Sequence, residues 1–152
     1  MTVEVGHTAA DFALKDQHGQ LVRLSDFRGE RHVALVFYPF AFSGICTGEL
    51  CEIRDNLSVF ADANVQVIGI SCDPMYTQRA WADHEKYDFP LLSDFWPHGA
   101  VATEYGVFRP ETGFATRGTF LIDTDGVLRW SVVNEPGQAR PLAAYREAIA
   151  AL

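Results

Sequence analysis

The sequence predicts an α/β fold, in which a buried sheet carries helices and a small β-hairpin precedes it. Two apolar runs, His32–Tyr38 and Val65–Ser71, read as strands buried on both faces. Between them Leu50, Ile53, Leu57 and Phe60 recur at helical spacing. Strand, helix and strand make a βαβ unit, so the two strands run parallel with a right-handed crossover.

In chain order, residues 6–30 are a β-rich lead-in. Phe12-Ala13-Leu14 and Leu21-Val22-Arg23-Leu24 flank the turn Asp16-Gln17-His18-Gly19-Gln20, and Asp26-Phe27-Arg28-Gly29 makes another turn. Pro39 ends the strand that starts at His32, because it cannot donate to a sheet. The helix after it runs from Cys46 to Asp62, with Glu49 and Glu52 near its positive end. After the second strand, Asp73 offers an N-cap and Pro74 a first helical residue. Thr77, Ala80, Trp81 and His84 then place a stripe on a helix reaching Lys86, with His84 as a satisfied residue at the core edge. Phe89–Asp94 is a short strand and turn, and His98–Tyr105 is a brief helix stopped by Gly106. Residues 107–117 read as a turn-rich connection. Thr119–Ile122 and Val127–Val132 are strands joined through Asp123-Thr124-Asp125-Gly126. In the second of these Leu128, Trp130 and Val132 share one face, leaving Arg129 and Ser131 wet. After Pro141 a last helix buries Leu142, Tyr145, Ile149 and Leu152.

A chain of 152 residues reads as one domain, 1–152, long enough for a real core. A net charge of −8 argues against nucleic acid or an anionic membrane as partner. No basic-then-apolar leader opens the chain, and the longest apolar run, Val33–Phe42, is too short to span a bilayer. Three cysteines, an odd number, fit a reducing compartment, so a cytoplasmic location is expected. His7, His18 and His32 have no second ligand at metal spacing, so no metal site is expected.

The chemistry centres on Pro39-Phe40-Ala41-Phe42-Ser43-Gly44-Ile45-Cys46-Thr47-Gly48-Glu49-Leu50-Cys51. Cys46 falls where a strand has ended and a helix begins. Free backbone N–H groups and the positive end of the helix dipole face outward there. That position favours the thiolate, which is the nucleophilic form. Ser43, three residues earlier, can cap the helix or hydrogen-bond the sulfur.

The pattern Pro39-x-x-x-Ser43-x-x-Cys46 resembles the peroxidatic-cysteine motif of the peroxiredoxins. Leu91–Ala100, Tyr105–Phe108 and Arg117–Asp123 resemble the one-cysteine peroxiredoxins of the alkyl hydroperoxide reductase E type, found in actinobacteria. The resemblance covers nearly the whole chain. It implies a thioredoxin-like fold with an N-terminal β-hairpin extension. It also implies a thiol-dependent peroxidase that reduces hydrogen peroxide and organic hydroperoxides through a sulfenic acid at Cys46, without a cofactor. The electrons would come from a thioredoxin-, glutaredoxin- or mycoredoxin-like reductant, and the chain would form a homodimer or larger homo-oligomer. Arg117, in Arg-x-Thr-Phe, would face the reactive sulfur. Its guanidinium stays charged and offers rigid donors, so it can hold the thiolate and stabilise charge on the leaving oxygen. Pro39 would shield the site, and Ser43 would offer a hydroxyl to the peroxide. Glu49 helps orient the arginine in similar proteins, and would equally fit as a favourable acid in the first turns. Phe40, Phe42 and Ile45 would form an apolar rim suited to organic hydroperoxides, or else core or dimer contacts.

Cys51 departs from the one-cysteine pattern. The spacing Cys46-x-x-x-x-Cys51 resembles the bacterioferritin-comigratory type, in which a second cysteine resolves the sulfenic acid. In an intact helix five residues separate two positions by about 7.5 Å along the axis and about 140° around it. A disulfide wants Cα atoms roughly 4.4–6.8 Å apart. Resolution therefore requires local unwinding, which Gly44 and Gly48 ease. The alternative is a spectator Cys51, with an external thiol reducing Cys46. Cys72, ending a strand, reads as a small buried residue. A thioredoxin-like dithiol oxidoreductase without peroxidase activity would share the fold, but it wants Cys-x-x-Cys, which the sequence lacks.

Overall fold

A computed structural model describes residues 3–152. The predicted lead-in hairpin is present: β1 (Ala13–Lys15) and β2 (Leu21–Arg23) pair antiparallel, with Leu14 opposite Val22. The main strands are β3 (His32–Phe37), β4 (Val65–Ser71) and β5 (Leu91–Ser93). Within the 107–117 connection lies a two-stranded ribbon that the sequence left as turns, β6 (Phe108–Arg109) with β7 (Phe114–Ala115). The last strands are β8 (Arg117–Ile122) and β9 (Leu128–Asn134). The five-stranded sheet has the order β5-β4-β3-β8-β9. β3, β4 and β5 run parallel, and β8 and β9 are added antiparallel. The helices are α1 (Gly44–Asp55), α2 (Leu57–Ala61), α3 (Met75–Glu85), α4 (Ala100–Glu104) and α5 (Leu142–Ala150).

The central strand explains its own composition. Ala34, Val36 and Tyr38 join a cluster with Leu50, Ile53, Phe60, Trp81, Tyr145 and Ile149. Val33, Leu35 and Phe37 alternate with them and join Ile68, Ile70, Val101, Tyr105 and Phe120 on the other face. A strand that feeds two cores has no wet face, hence the unbroken apolar run.

Five local expectations are corrected. The long helix is two, because at Asn56 the backbone leaves helical geometry (φ −124°, ψ 28°) and the side-chain amide donates to the Glu52 carbonyl at 2.9 Å. α3 starts at Met75 with Pro74 as its N-cap, and the Asp73 carboxylate is engaged elsewhere. The buried stripe of α3 is Gln78, Trp81 and Ala82, while Ala80 and His84 face solvent. A polar residue anchors that stripe: Gln78 donates to Ser71 and to the Leu92 carbonyl, and it accepts from Tyr38. Hydrophobic periodicity skips such a residue. In β9 Leu121 pairs with Trp130 and Ile122 with Leu128, so Arg129 is an extra residue. This bulge sends Leu128 and Trp130 to opposite cores. Leu152 lies beyond the end of α5 and is exposed.

Candidate active site

The site grows from the C-terminal end of β3. The Tyr38 amide donates to the Ile70 carbonyl at 3.1 Å, and the buried Pro39 then stops the ladder. The loop that follows is pinned by Asp73, whose Oδ2 accepts the Ala41 amide at 2.8 Å and the Ser71 hydroxyl at 2.6 Å. Burial pushes the Asp73 carboxyl above the usual carboxylate range, against those two hydrogen bonds. Phe42 adopts φ 68°, a left-handed conformation strained for a bulky residue, and it directly precedes the helix cap. Ser43 is the N-cap of α1 in backbone terms, and its carbonyl accepts the Thr47 amide at 2.8 Å. Its hydroxyl neither caps the helix nor bonds the Cys46 sulfur, contrary to the two roles expected from sequence. The Oγ is enclosed and has no partner among the described residues.

Cys46 is the third residue of α1, a free thiol with 0% exposure. The amides of Gly44, Ile45 and Cys46 precede the first bond of the helical ladder. One turn on, the buried Glu49 grips two guanidiniums. Its Oε1 accepts Arg117 Nη1 at 2.5 Å and Arg140 Nη2 at 2.9 Å. Its Oε2 accepts the Arg140 amide at 2.6 Å and Arg140 Nε at 2.9 Å. Arg117 is fixed a second time by the Pro136 carbonyl, through Nε at 2.7 Å. Arg140 Nη1 reaches the carbonyls of Phe37 and Gly118 and the Thr119 hydroxyl. Glu49 and Arg117 thus meet as the resemblance implied. No hydrogen bond reaches the Cys46 sulfur among the described residues.

Arg140 is the residue that sequence reasoning missed. Its only signal was a charge beside Pro141 in a segment without periodicity. Burial pulls its guanidinium down, but Tyr145, Glu49 and Cys46 together outweigh that pull and raise it. Burial likewise pushes Glu49 up, and the bonds and charges of Arg140 and Arg117 hold it below the usual carboxylate range. Two buried arginines facing one buried carboxylate leave one formal positive charge uncompensated in the interior. Buried charge of this kind demands a partner.

The other sequence candidates are placed around this centre. Phe40, Phe42 and Ile45 are each 39–51% exposed. Phe40 packs on Phe114 of the ribbon at 4.9 Å, and Phe42 lies 6.3 Å from Trp81 and from His84. Cys51 is half-buried on the far side of α1, close to Glu85 and Tyr87. Cys72 is buried, and its thiol is pushed up to about 12 by burial and by the Asp94 and Asp73 charges. Among the described residues no cluster of three or more His, Cys, Asp or Glu could hold a metal, and no helix is long and apolar enough to cross a membrane.

A sheet of this order, with a cysteine leading the helix that crosses from β3 to β4, defines the thioredoxin-like thiol proteins. The sequence model of the AhpC/TSA family matches residues 5–131, and the chain belongs to that family. It is 47% identical to alkyl hydroperoxide reductase E of Mycobacterium bovis, over 99% of this chain and 98% of the relative. It is 34% identical to the chloroplastic 2-Cys peroxiredoxin BAS1 of Hordeum vulgare, over 90% of this chain and 69% of the relative. Among solved structures it superposes on peroxidoxin BcpB from Mycobacterium tuberculosis with a TM-score of 0.88, at 35% identity, covering 99% and 98% of the two chains.

Proposed function

We propose that this protein is a thiol-dependent peroxidase that reduces hydrogen peroxide and organic hydroperoxides at Cys46. The observation that carries the reading is the buried pair of arginines on Glu49, with one positive charge uncompensated, one turn beyond a buried cysteine at a helix start. The Cys46 thiolate attacks one oxygen of ROOH, and the O–O bond breaks. The other oxygen takes a proton and leaves as ROH, while Cys46 becomes a sulfenic acid. Arg117 and Arg140 steady the thiolate and the charge growing on the leaving oxygen. The unpartnered Ser43 hydroxyl is free to bond the peroxide, and Pro39 keeps water from the sulfur. The half-exposed Phe40, Phe42 and Ile45 suit an apolar R group.

Cys51 resolves the sulfenic acid after local unwinding, and a thioredoxin-, glutaredoxin- or mycoredoxin-like protein returns the thiols. Residues 1–152 act as one domain in the cytoplasm, a location that three free thiols suit. The exposed aromatics Tyr76, Phe95 and Trp96 support assembly into at least a homodimer. The test is one equivalent of peroxide followed by intact-mass measurement. Wild type gains one oxygen atom or loses two hydrogens, and Cys46→Ser does neither and consumes no peroxide. Normal turnover by Cys46→Ser would overturn the assignment.

A further inference from the structure

Peroxide meets an awkward choice of thiols here. Cys46, the nucleophile, has 0% exposure, while Cys51 on the same helix is half-buried and more open to solvent. Exposure alone would let Cys51 react out of turn.

The surroundings of Cys51 answer this. Its Sγ lies 3.3 Å from Glu85 Oε2 and 3.5 Å from the Tyr87 hydroxyl. An ionised carboxylate can only accept, so the Cys51 S–H donates to Glu85, and the sulfur lone pairs are left to accept the Tyr87 O–H. Both partners are themselves fixed. Arg54, one turn along α1, donates through Nη1 to the Glu85 carbonyl at 2.6 Å and stands 3.6 Å from Oε2. His84 Nδ1 is 3.1 Å from the other Glu85 oxygen. The Tyr87 ring sits edge-on to Trp81 at 5.0 Å and stacks on Phe89 at 5.4 Å. The titratable groups around Cys51 are therefore Glu85 and Tyr87 from the end of α3, Arg54 from α1, and His84 behind Glu85.

We propose that Glu85 and Tyr87 are positioning residues for Cys51, both pinning its sulfur to the end of α3 while α1 is folded and Glu85 keeping the thiol protonated, so that oxidation falls on Cys46 first. Burial pushes the Cys51 thiol up and the Glu85 charge adds to it, with Tyr87 and Arg54 acting in the opposite sense. The hold is released only when Cys51 leaves α3. In the step that follows, the Cys51 sulfur attacks the Cys46 sulfenic sulfur, an S–S bond forms and the S–OH bond breaks. The Cys51 proton leaves with the hydroxyl as water, Cys46 is reduced and Cys51 oxidised. This last step rests on the resolving role proposed above, whereas the protection of Cys51 does not.

The test alkylates reduced protein with iodoacetamide across a pH series, in a Cys46→Ser background, and counts the Cys51 adduct by peptide mass. Glu85→Gln keeps the shape and an acceptor oxygen but removes the charge. It should move the Cys51 profile to lower pH and raise the rate near neutrality by roughly threefold or more. Tyr87→Phe removes a donor to sulfur and should move the profile the other way. Superimposable profiles for Glu85→Gln and its parent, or an acceleration in Glu85→Ala equal at every pH, would overturn the proposal. A second arm treats wild type and Glu85→Gln with one equivalent of peroxide and quantifies the Cys46–Cys51 disulfide. If wild type forms none, the resolving reading fails, and the alkylation arm still decides this one.

Discussion

Glu49→Gln tests the core of the site. Glu49 accepts four hydrogen bonds from two guanidiniums and one amide, all of them buried. Removing one partner of a buried ion pair costs about 3–5 kcal/mol. Glutamine keeps one acceptor oxygen, which places the expected loss near the lower end, about 3 kcal/mol. For a chain of this length that lowers Tm by roughly 6–12 °C, at about 2–4 °C per kcal/mol. The Glu49 pKa is lowered by Arg140 and Arg117 against burial, so the carboxylate stabilises the fold above its unfolded pKa of about 4.3. That contribution disappears as pH falls through the lower folded value. The stability gap between wild type and variant should therefore be constant near neutrality and narrow in acid. Activity should fall as well, because the guanidiniums lose their fixed aim. A contact weakened by about 1.4 kcal/mol in the transition state slows oxidation tenfold. Thermal melts across pH and stopped-flow oxidation at Cys46 provide the readouts. A variant with an unshifted Tm and an unchanged second-order rate with hydrogen peroxide would refute the clamp.

Arg117→Ala should slow oxidation by at least tenfold, on the order of one modest electrostatic contact of 1.4 kcal/mol, and competition kinetics against a reference peroxidase would measure it. A rate equal to wild type would assign the transition-state contact elsewhere. Cys51→Ser should still reach the sulfenic acid but form no internal disulfide, which peptide mapping after thiol blocking would read. Equal turnover of this variant with every reductant would leave Cys46 to a one-cysteine cycle.

The sheet was legible because its central strands obey a simple rule: β3 and β4 fill two cores, so their sequences are apolar without interruption. The placement of Cys46 at the start of α1, just after Pro39 and Ser43, was legible because it depends on local chain geometry, which spacing records. Errors arose where a polar residue does a core residue's work. Gln78 shifted the apparent face of α3, and Arg129 entered β9 as a bulge that alternation cannot reveal. Arg140 lay deepest out of reach. It sits 91 residues from Glu49, in a loop, and only the packing of β3 and β8 brings it to that carboxylate. Nothing in its neighbours along the chain marks a buried guanidinium.

The clamp also decides which end of α1 can open. Sequence spacing suggested unwinding from the first turns at Gly44 and Gly48. Yet opening that end would carry Glu49 away from Arg117 and Arg140, at about 3–5 kcal/mol for the broken pair. The other end is held more lightly. Cys51 has one thiol–carboxylate bond and one contact with a hydroxyl, Arg54 is partly exposed, and the helix already breaks at Asn56. Two residues beyond a fixed Glu49, the chain can still carry Cys51 about 7 Å when extended, which is of the order of the axial gap that a disulfide must close. The cheaper route keeps Glu49 seated and peels α1 from Asn56 back to Leu50. Hydrogen exchange of the peroxide-oxidised protein should then show lost protection at residues 50–56, with the amides of Glu49 and Arg140 still protected. Loss confined to residues 44–49 would mean that the clamp opens first, and that the arginines are free to move during resolution.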